Sequence, residues 1–319
     1  MITTSEDNKK KQILNRVVTQ MGGTVEEFIQ ERRSYLVNLA GKEILLEHHI
    51  AITRDPYIGV ISTKCKDVTA QLLTEAKLPT PGYAGFYRKS FNKEVALKKL
   101  SKLKYPIIVK HAMGSNSSGL FVNIQNPKQA VKILRKELKN FSSMIAQEMV
   151  YGKEYRVLVL GNKVIAVMEM VHPYVVGDGV SKLRNLINIK QNSADRRTTF
   201  DKQFKQFVKK QGFSLRDVVP NGKTVFIKQS CSLAEGGETR DVTATVHKDV
   251  VDVCVEASKV VGKNLVGIDI ICKDISKKQT KKSLNILEVN GKPDFYIHYN
   301  PNQGKPQNVL KKILNFMVK

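Results

Sequence analysis

Short apolar runs of strand length alternate along the chain with stretches whose apolar residues recur at the spacing of a helix. The strand-like runs include "YPIIVK", "SMIAQEMV", "EYRVLVLGNKVIAVMEMV", "NLVGIDIIC" and "SLNILEVNG". Helical spacing marks residues 65–78, 127–138 and 249–262, and the first of these helices must end before Pro79, which cannot continue it. Strands mixed with helices predict an α+β fold with antiparallel sheets.

The N-terminal part of the chain has a less regular pattern. Residues 5–50 are predicted to be helical, because "VEEFIQERRSYLVNLAGKEI" places apolar residues near the 3.6-residue period. Residues 55–63, "DPYIGVIST", predict a short strand. We therefore expect an N-terminal helical and strand segment over residues 1–62, followed by the main domain over residues 63–319.

The charge balance is strongly basic, with 53 Lys and Arg against 29 Asp and Glu and a net charge of +24. Such a charge suits nucleic acid, an anionic membrane surface or polyanionic small molecules. The lysines are dispersed along the chain, and no RNA-binding signature accompanies them. Charge alone therefore decides between none of these partners, and a solvated lysine-rich surface is the plainest interpretation.

The chain has no run close to the roughly 18–20 apolar residues that a membrane span needs. Its first residues, "MITTSEDNKKKQ", lack the apolar core of a secretory signal, so a cytoplasmic location is expected. Four cysteines occur without a CxxC pair or a Cys/His cluster, which argues against a zinc site and favours free thiols.

Two predicted strands near the C-terminus carry polar residues within apolar surroundings. Glu288 and Asn290 are two residues apart and share one strand face, and Asp269 lies within "VGIDII". A hairpin centred near Lys278 would place Asp269 directly opposite Glu288. Three such oxygen donors suit Mg²⁺. The alternative is a solvent-facing strand side, but the apolar neighbours of these residues disfavour it.

A second candidate is the loop "KHAMGSNSSGL", which follows an apolar strand. Small residues let backbone N–H groups approach an anion, and Lys110 can add a charge. Taken alone, such a loop between strands is more often an ordinary hairpin turn. Beside a magnesium site, phosphate binding becomes the favoured interpretation.

The order of these features resembles an ATP-grasp ligase, in particular the ATP-grasp modules of cyanophycin synthetases and of bifunctional glutathione synthetases. The resemblance covers about residues 35–300. It rests on "CKDVTAQLLTEAKLPTP", the lysine with its Gly/Ser loop, "QEMVYGKEYR", "VVGDGVSKLRNLI", "GFSLRDVVPNGKTVFIK", "LAEGGETRDVT", "GIDI" and "EVN". It implies two α+β subdomains with antiparallel sheets that grip ATP, a nucleotide-clamping one at about 103–150 and a metal-binding one at about 151–319.

The resemblance also implies roles for individual residues. Lys66 and Lys110 would contact the ATP phosphates, which would be covered by Ser115, Asn116, Ser117, Ser118 and Gly119. Adenine would be bound by Glu148, Met149 and Val150, and the ribose hydroxyls by Glu154. Asp269, Glu288 and Asn290 would hold two Mg²⁺ or Mn²⁺ ions, and Lys228 and Arg240 would be catalytic.

The implied reaction joins a carboxylate to an amine through an acylphosphate, on an amino acid or small peptide. The sequence leaves open whether the protein forms a homo-oligomer. Neither a nucleic acid nor a membrane is expected as a partner. The chain departs from its relatives at Lys228, where they commonly have arginine, at Ser232, where they have asparagine, and in "GKPDF", which places Lys292 and Asp294 near the acceptor side. A nucleotide- or nucleic-acid-binding protein of the same fold without ligase activity is the alternative.

Three weaker candidates have equally plain explanations. Arg196 and Arg197 could clamp a substrate carboxylate or form a surface basic pair. Asp178 matches a loop of the family, yet Asp-Gly is also an ordinary turn. His111, beside the Gly/Ser loop, could donate to a phosphate or pack there.

Overall fold

The computed structural model describes residues 5–47, 50–51, 56–113, 119–192, 200, 202–228, 230–231, 233 and 236–319. The chain divides into two compact units. Unit 1 comprises Met1–Val167, Val242–Asn300 and Pro306–Lys319, and unit 2 comprises Met168–Asp241 and Pro301–Lys305. Within the described ranges, no helix is long and apolar enough to cross a membrane.

The described helices are α1 (Ser5–Gln20), α2 (Tyr57–Lys64), α3 (Lys66–Glu75), α4 (Lys93–Leu100), α5 (Pro127–Glu137), α6 (Leu183–Asn192), α7 (Lys202–Lys210), α8 (Lys248–Val260) and α9 (Val309–Met317). Short 3₁₀ turns include Phe295–Tyr299.

The strands are β1 (Thr24–Ile29), β2 (Ser34–Leu39), β3 (Lys42–Glu47), β4 (Ile50–Ala51), β5 (Tyr83–Tyr87), β6 (Ile107–His111), β7 (Phe121–Ile124), β8 (Ser143–Glu148), β9 (Lys153–Leu160), β10 (Lys163–Val171), β11 (Tyr174–Val176), β12 (Thr224–Phe226), β13 (Glu238–Asp241), β14 (Leu265–Cys272) and β15 (Leu284–Asn290). The predicted α+β class with antiparallel sheets is confirmed.

The N-terminal segment is largely a sheet, so the helix predicted beyond α1 is wrong. Strands β1–β4 form an antiparallel meander. Ala40 and Gly41 both have positive φ, 52° and 73°, which is the two-residue turn that joins twisted strands directly. Alternate residues of β2 are buried, namely Tyr35, Val37 and Leu39. Apolar residues are so frequent in this segment that they satisfy a helical period as well as the period of two that the strands adopt.

Residues 57–64 form helix α2, so the strand predicted over residues 55–63 is also wrong. Gly59 explains the difference, because a Cβ at this position would lie 2.1 Å from the carbonyl oxygen of Gly262. The helix therefore lies backbone to backbone against the end of α8. Its β-compatible residues, among them Ile58, Val60 and Ile61, are outweighed by this tertiary contact.

A four-stranded sheet of order β5–β8–β6–β7 is covered on one face by α4 and α5. Ile107 and Val109 of β6 pack under these helices with Leu100 and Leu134. Strand residues alternate between faces, so Lys110 of β6 points to the opposite side of this sheet.

The central sheet of unit 1 has the order β10–β9–β14–β15. One face packs against α8 and α3 through residues such as Val157 and Ile268. On the other face, Leu158 and Leu265 pack in a cluster with residues of α1, β2, β3 and α9. The N-terminal segment thus shares a hydrophobic core with the end of the chain, and the domain boundary expected at residue 62 stays a prediction.

Unit 2 contains the end of β10, paired with β13, and a small two-stranded sheet of β11 and β12. Helices α6 and α7 pack with this small sheet around a core of buried side chains that includes Ile187, Phe204 and Val225. The strong amphipathic pattern of "KQFKQFVKK" places Phe204 and Val208 inward, and Lys205, Lys209 and Lys210 are exposed.

Candidate active site

The hairpin of β14 and β15 brings the predicted metal residues together. Asp269 is directly opposite Glu288, as the hairpin symmetry predicted, and Gly267 is opposite Asn290. Strand alternation therefore places Asp269, Glu288 and Asn290 on one face. A register shift follows between Asp269 and Ile270, which then pairs with Ile286.

Strand β9 adds a residue that sequence reasoning missed. Arg156 is directly opposite Asp269 on the other side of β14. Its Nε donates to Asp269 Oδ1, and its terminal nitrogen donates to Asp269 Oδ2 at 3.0 Å. Arg156 stands two residues after Glu154 in an apolar strand, a spacing that puts both on this face; their pairing with β14 was not readable from the sequence.

The amide of Asn290 is oriented by the same carboxylate. Its Nδ2 donates to Asp269 Oδ2 at 3.0 Å, so its carbonyl oxygen is turned away from Asp269 and remains available to a cation. Burial raises the pKa of Asp269 to about 6, with Arg156 acting in the opposite direction. The two-pronged ion pair with Arg156 favours the ionised carboxylate.

Two lysines face this group. Lys66 is the first residue of α3, and its Nζ lies 3.0 Å from Glu288 Oε1. Burial lowers the pKa of Lys110, while the charges of Glu288, Asp269 and Glu154 raise it and that of Lys66 lowers it. The amino groups of Lys66 and Lys110 thus lie close enough to the carboxylates of Glu154, Asp269 and Glu288 in unit 1 to interact with them electrostatically.

Gly267 allows the side chain of Arg156 to cross the strand. A Cβ at this position would lie 2.8 Å from Pro293 Cβ and 3.2 Å from Arg156 Cδ. Pro293 belongs to the "GKPDF" segment that follows β15. Pro293 and the side chain of Arg156 therefore both pack closely against Gly267.

The neighbours of Pro293 in this segment bind the N-terminal part of the chain. Lys292 Nζ lies 3.4 Å from Glu47, and Asp294 accepts a hydrogen bond of 2.8 Å from Lys10. Asp294 also caps the 3₁₀ turn through the backbone N–H of Tyr296. The described contacts of Lys292 and Asp294 are thus structural, and their expected place on the acceptor side stays a prediction.

The donor set fits Mg²⁺. It comprises two carboxylates and one amide oxygen, all hard ligands, on adjacent strands. In the part of the chain that the structure describes, no group of three or more His, Cys, Asp or Glu side chains could hold a metal. A site with two carboxylates needs further oxygen ligands from substrate or water, which is how Mg²⁺ is usually bound beside phosphates.

Most of the predicted phosphate loop, including Ser115, Asn116, Ser117 and Ser118, lies outside the described residues. Gly119 follows it with a φ of +67°, and a Cβ there would lie 2.8 Å from His111 Nε2. His111 is buried and packs edge-on against Phe141. Burial lowers the pKa of His111, and its ring lies against the end of the loop at Gly119.

The predicted adenine segment follows β8. Glu148 accepts a hydrogen bond from the backbone N–H of Lys104 at 2.8 Å, and the backbone N–H of Met149 donates to Pro106. A Cβ on Gly82 would lie 2.6 Å from the Glu148 carboxylate. These contacts fix the course of the chain up to Val150; the roles of Glu148, Met149, Val150 and Glu154 stay predictions.

Lys228 and Arg240 lie in unit 2. Arg240 is directly opposite Glu169 in the pairing of β13 with β10, and its guanidinium lies 3.5 Å from the Glu169 carboxylate. Its Nε donates to the Gln303 side chain at 2.9 Å. Lys228 is partly buried just after β12.

The weaker candidates have structural explanations. Asp178 accepts hydrogen bonds from the backbone of Val180 and Ser181, which hold its pKa at about 2, as in an ordinary turn. Arg196, Arg197 and Ser232 lie outside the described residues. All four cysteines, Cys65, Cys231, Cys254 and Cys272, are free thiols, as expected.

The fold is the ATP-grasp fold. Residues 72–210 match the protein family described as the D-ala D-ala ligase C-terminus. The crystal structure of a bifunctional glutathione synthetase from Pasteurella multocida has a TM-score of 0.72 at 21% identity, over 98% of this chain and 44% of that chain.

Curated relatives agree with this assignment. Cyanophycin synthetase of Synechocystis sp. is 27% identical over 286 residues, which cover 85% of this chain and 32% of that protein. The glutathione biosynthesis bifunctional protein of Clostridium perfringens is 25% identical over 311 residues, which cover 92% of this chain and 39% of that protein. These matches confirm the resemblance to ATP-grasp ligases, while the chain spans less than half the length of these relatives.

Proposed function

We propose that this chain is an ATP- and Mg²⁺-dependent, ADP-forming carboxylate–amine ligase. The observation that carries the proposal is the facing arrangement of Lys66 and Lys110 with the oxygen ligands of β14 and β15. The lysines suit the phosphates of ATP, and Asp269, Glu288 and Asn290 suit the accompanying metal ions. The names of the relatives, cyanophycin synthetase and glutathione biosynthesis protein, support a ligase as well.

The reaction has two steps. A carboxylate oxygen of the first substrate forms a bond to the γ-phosphorus of ATP, and the bond to the leaving ADP oxygen breaks, which gives an acylphosphate. An amine then attacks the acyl carbon, phosphate leaves and the nitrogen loses a proton, which gives an amide. Mg²⁺ held by Asp269, Glu288 and Asn290 would neutralise phosphate charge.

The residues of the chain supply charge and position. An anion attacks a polyanion in the first step, so Lys66 and Lys110 are needed to offset the repulsion. Arg156 holds both oxygens of Asp269 in one plane, and Asp269 orients Asn290. No covalent enzyme nucleophile takes part.

Lys228 and Arg240 are proposed as catalytic cations that bind the acylphosphate. The contacts of Arg240 with Glu169 and Gln303 support this role, because they orient a guanidinium that carries a charge suited to an anion. Lys228 keeps the charge of the arginine common in relatives and loses its two-pronged geometry. The proposed substrates are an amino acid or a small peptide.

A ligase screen tests the proposal. The chain is incubated with ATP, Mg²⁺ and pairs of amino acids or small peptides, with phosphate release and new amide products read by mass spectrometry. Glu288→Gln keeps the shape of the side chain and removes its charge, and we expect a loss of about 10²-fold or more in turnover. Glu256→Gln, an exposed change on α8, is the matched control and should retain full turnover.

Two outcomes would contradict the proposal. ATP binding without amide formation across the screen would favour a nucleotide-binding protein without ligase activity. Full turnover of Glu288→Gln would show that the metal residues are wrongly assigned.

A further inference from the structure

Helices α4 and α5 and the turns that end them carry an unbalanced set of exposed charges. We call this surface the basic helical face. Its nine exposed cations are Lys93, Lys98, Lys99, Lys102, Lys128, Lys132, Arg135, Lys136 and Lys139. Glu94 is the exposed acidic residue of the same stretches, and Glu137 is buried. The face thus carries much more charge per residue than the chain as a whole.

The cations of this face are poorly compensated. Lys136 lies 3.9 Å from Glu137, at the limit of an ion pair. Lys99 lies 3.4 Å from the Gly85 carbonyl and over the Phe86 ring. Among the described residues, none of the other seven has an ion-pair partner. Mutual repulsion among these cations lowers the stability of the folded chain, and a bound polyanion would reduce that repulsion.

An open groove lies on this face between the end of α4 and the start of α5. Leu97 and Pro127, both half-buried, form its apolar part, and Lys98 and Lys128 stand on its two sides. Ser101 and Asn126 complete the lining. The groove therefore combines an apolar floor with positive charge on both rims.

We propose that the basic helical face binds an acidic peptide segment, with carboxylates on the rims and an apolar side chain on Leu97 and Pro127. Nucleic acid fits less well, for three reasons. No aromatic side chain lines the groove, so bases have nothing to stack on. Eight of the nine cations are lysines, which lack the fork that suits phosphate. A phosphate backbone also has no apolar group for the floor.

This surface is separate from the proposed ligase site. Ile107 and Val109 of β6 face the two helices, whereas Lys110 points to the other side of the same sheet. The proposal therefore does not rest on the ligase activity, and changes on the rims should leave ATP chemistry intact.

Fluorescence anisotropy with the full chain tests the proposal. The probe is a fluorescein-labelled peptide of Glu-Glu-Leu repeats, compared with Glu-Glu-Ser repeats and with single-stranded and duplex DNA of equal charge. We expect the Glu-Glu-Leu peptide to bind most tightly and its affinity to fall with added salt. Lys98→Glu with Lys128→Glu should weaken binding about tenfold or more.

The matched control is Lys277→Glu with Lys278→Glu, two exposed lysines in the β14–β15 connection. It should bind the peptide like the unchanged chain. Leu97→Ser should reduce the preference for the leucine-containing peptide over its serine counterpart. Circular dichroism and urea denaturation check that each variant is folded.

Several results would overturn the proposal. Tighter binding of either DNA than of the peptide would make this a nucleic-acid surface. Equal loss in the control variant would mean that net charge alone governs binding. No measurable binding of the peptide at low salt would remove the proposal altogether.

Discussion

Arg156 and Asp269 lie directly opposite each other on β9 and β14, and the guanidinium of Arg156 binds both carboxylate oxygens of Asp269. The side chain of Asp269 is 12% exposed and that of Arg156 is 23% exposed, so solvent screens the pair only in part. A proposed metal ligand is thus held in a fixed plane by a neighbouring strand, which is the usual function of partners behind a metal site.

Removal of the guanidinium should weaken metal binding. We expect Arg156→Met to lower Mn²⁺ affinity, read by electron paramagnetic resonance, by about 10-fold to 100-fold. It should also lower the free energy of unfolding by about 3 kcal/mol, because a largely buried carboxylate loses its partner. Arg156→Lys should recover part of the stability but less of the affinity, since an ammonium cannot hold both oxygens.

The control for this experiment is Lys163→Met, an exposed change on the adjacent strand β10. It should alter neither the unfolding free energy nor Mn²⁺ binding. Unchanged Mn²⁺ affinity in Arg156→Met would show that Arg156 serves stability alone.

A methyl group at Gly267 should disturb the same side chain. Gly267→Ala would place a Cβ 2.8 Å from Pro293 and 3.2 Å from Arg156, and we expect a loss of about 1–3 kcal/mol in unfolding free energy. Pro293→Gly removes one of the two contacts, so Gly267→Ala should cost less in that background. An equal loss of unfolding free energy in both backgrounds, measured by urea denaturation, would show that contact with Pro293 is not the cause of the loss.

The difference between the two sides of β14 shows what the sequence could predict. The pairing of Asp269 with Glu288 was found because a hairpin relates its two strands by local symmetry. The pairing of Asp269 with Arg156 joins residues 113 apart in sequence, and no local rule sets that register. The sequence therefore predicts the pairing within the β14–β15 hairpin, whereas the pairing of β14 with β9 requires the structure.

The N-terminal errors have a different origin. Residues 25–44 contain enough apolar residues to satisfy either a strand period or a helix period. The turn that separates two of the strands depends on the positive φ of Ala40 and Gly41, which is seen only in the structure. Helix α2 depends on the close approach of Gly59 to Gly262, about 200 residues away. Periodicity predicts an element where its pattern is strong, as in α5 and α8, and fails where tertiary contacts decide.

Gly119 should be important for ATP binding. A side chain there is strained by the φ of +67° and would press on His111 Nε2, which displaces the end of the Gly/Ser loop. We expect Gly119→Ala to raise the KM for ATP about tenfold with a smaller change in kcat. Gly212→Ala is the control, because it has a similar φ of +84° but no atom within 4 Å of its Cβ, and lies in unit 2. Equal effects of the two changes on KM would show that backbone strain alone is responsible.

His298 should make the stability of the protein depend on pH in the mildly acidic range. It is fully buried in the 3₁₀ turn Phe295–Tyr299, and neither ring nitrogen has a hydrogen-bond partner in the described structure. Burial lowers its pKa to about 3, and the positive charges of Arg156 and Lys312 act in the same direction. Between that value and the ordinary histidine pKa of about 6.5, the unfolded chain binds a proton that the folded chain excludes.

Stability should therefore fall as the pH is lowered from 6.5, by about 2 kcal/mol at pH 5 from this residue. His298→Phe keeps an aromatic ring and removes the titration, so the difference in unfolding free energy between the variant and the unchanged chain should shift in favour of the variant by that amount. Urea denaturation at pH 7 and pH 5 measures it, and carboxylate titrations common to both proteins cancel. Parallel pH dependence of the two proteins would mean that His298 is protonated in the folded state.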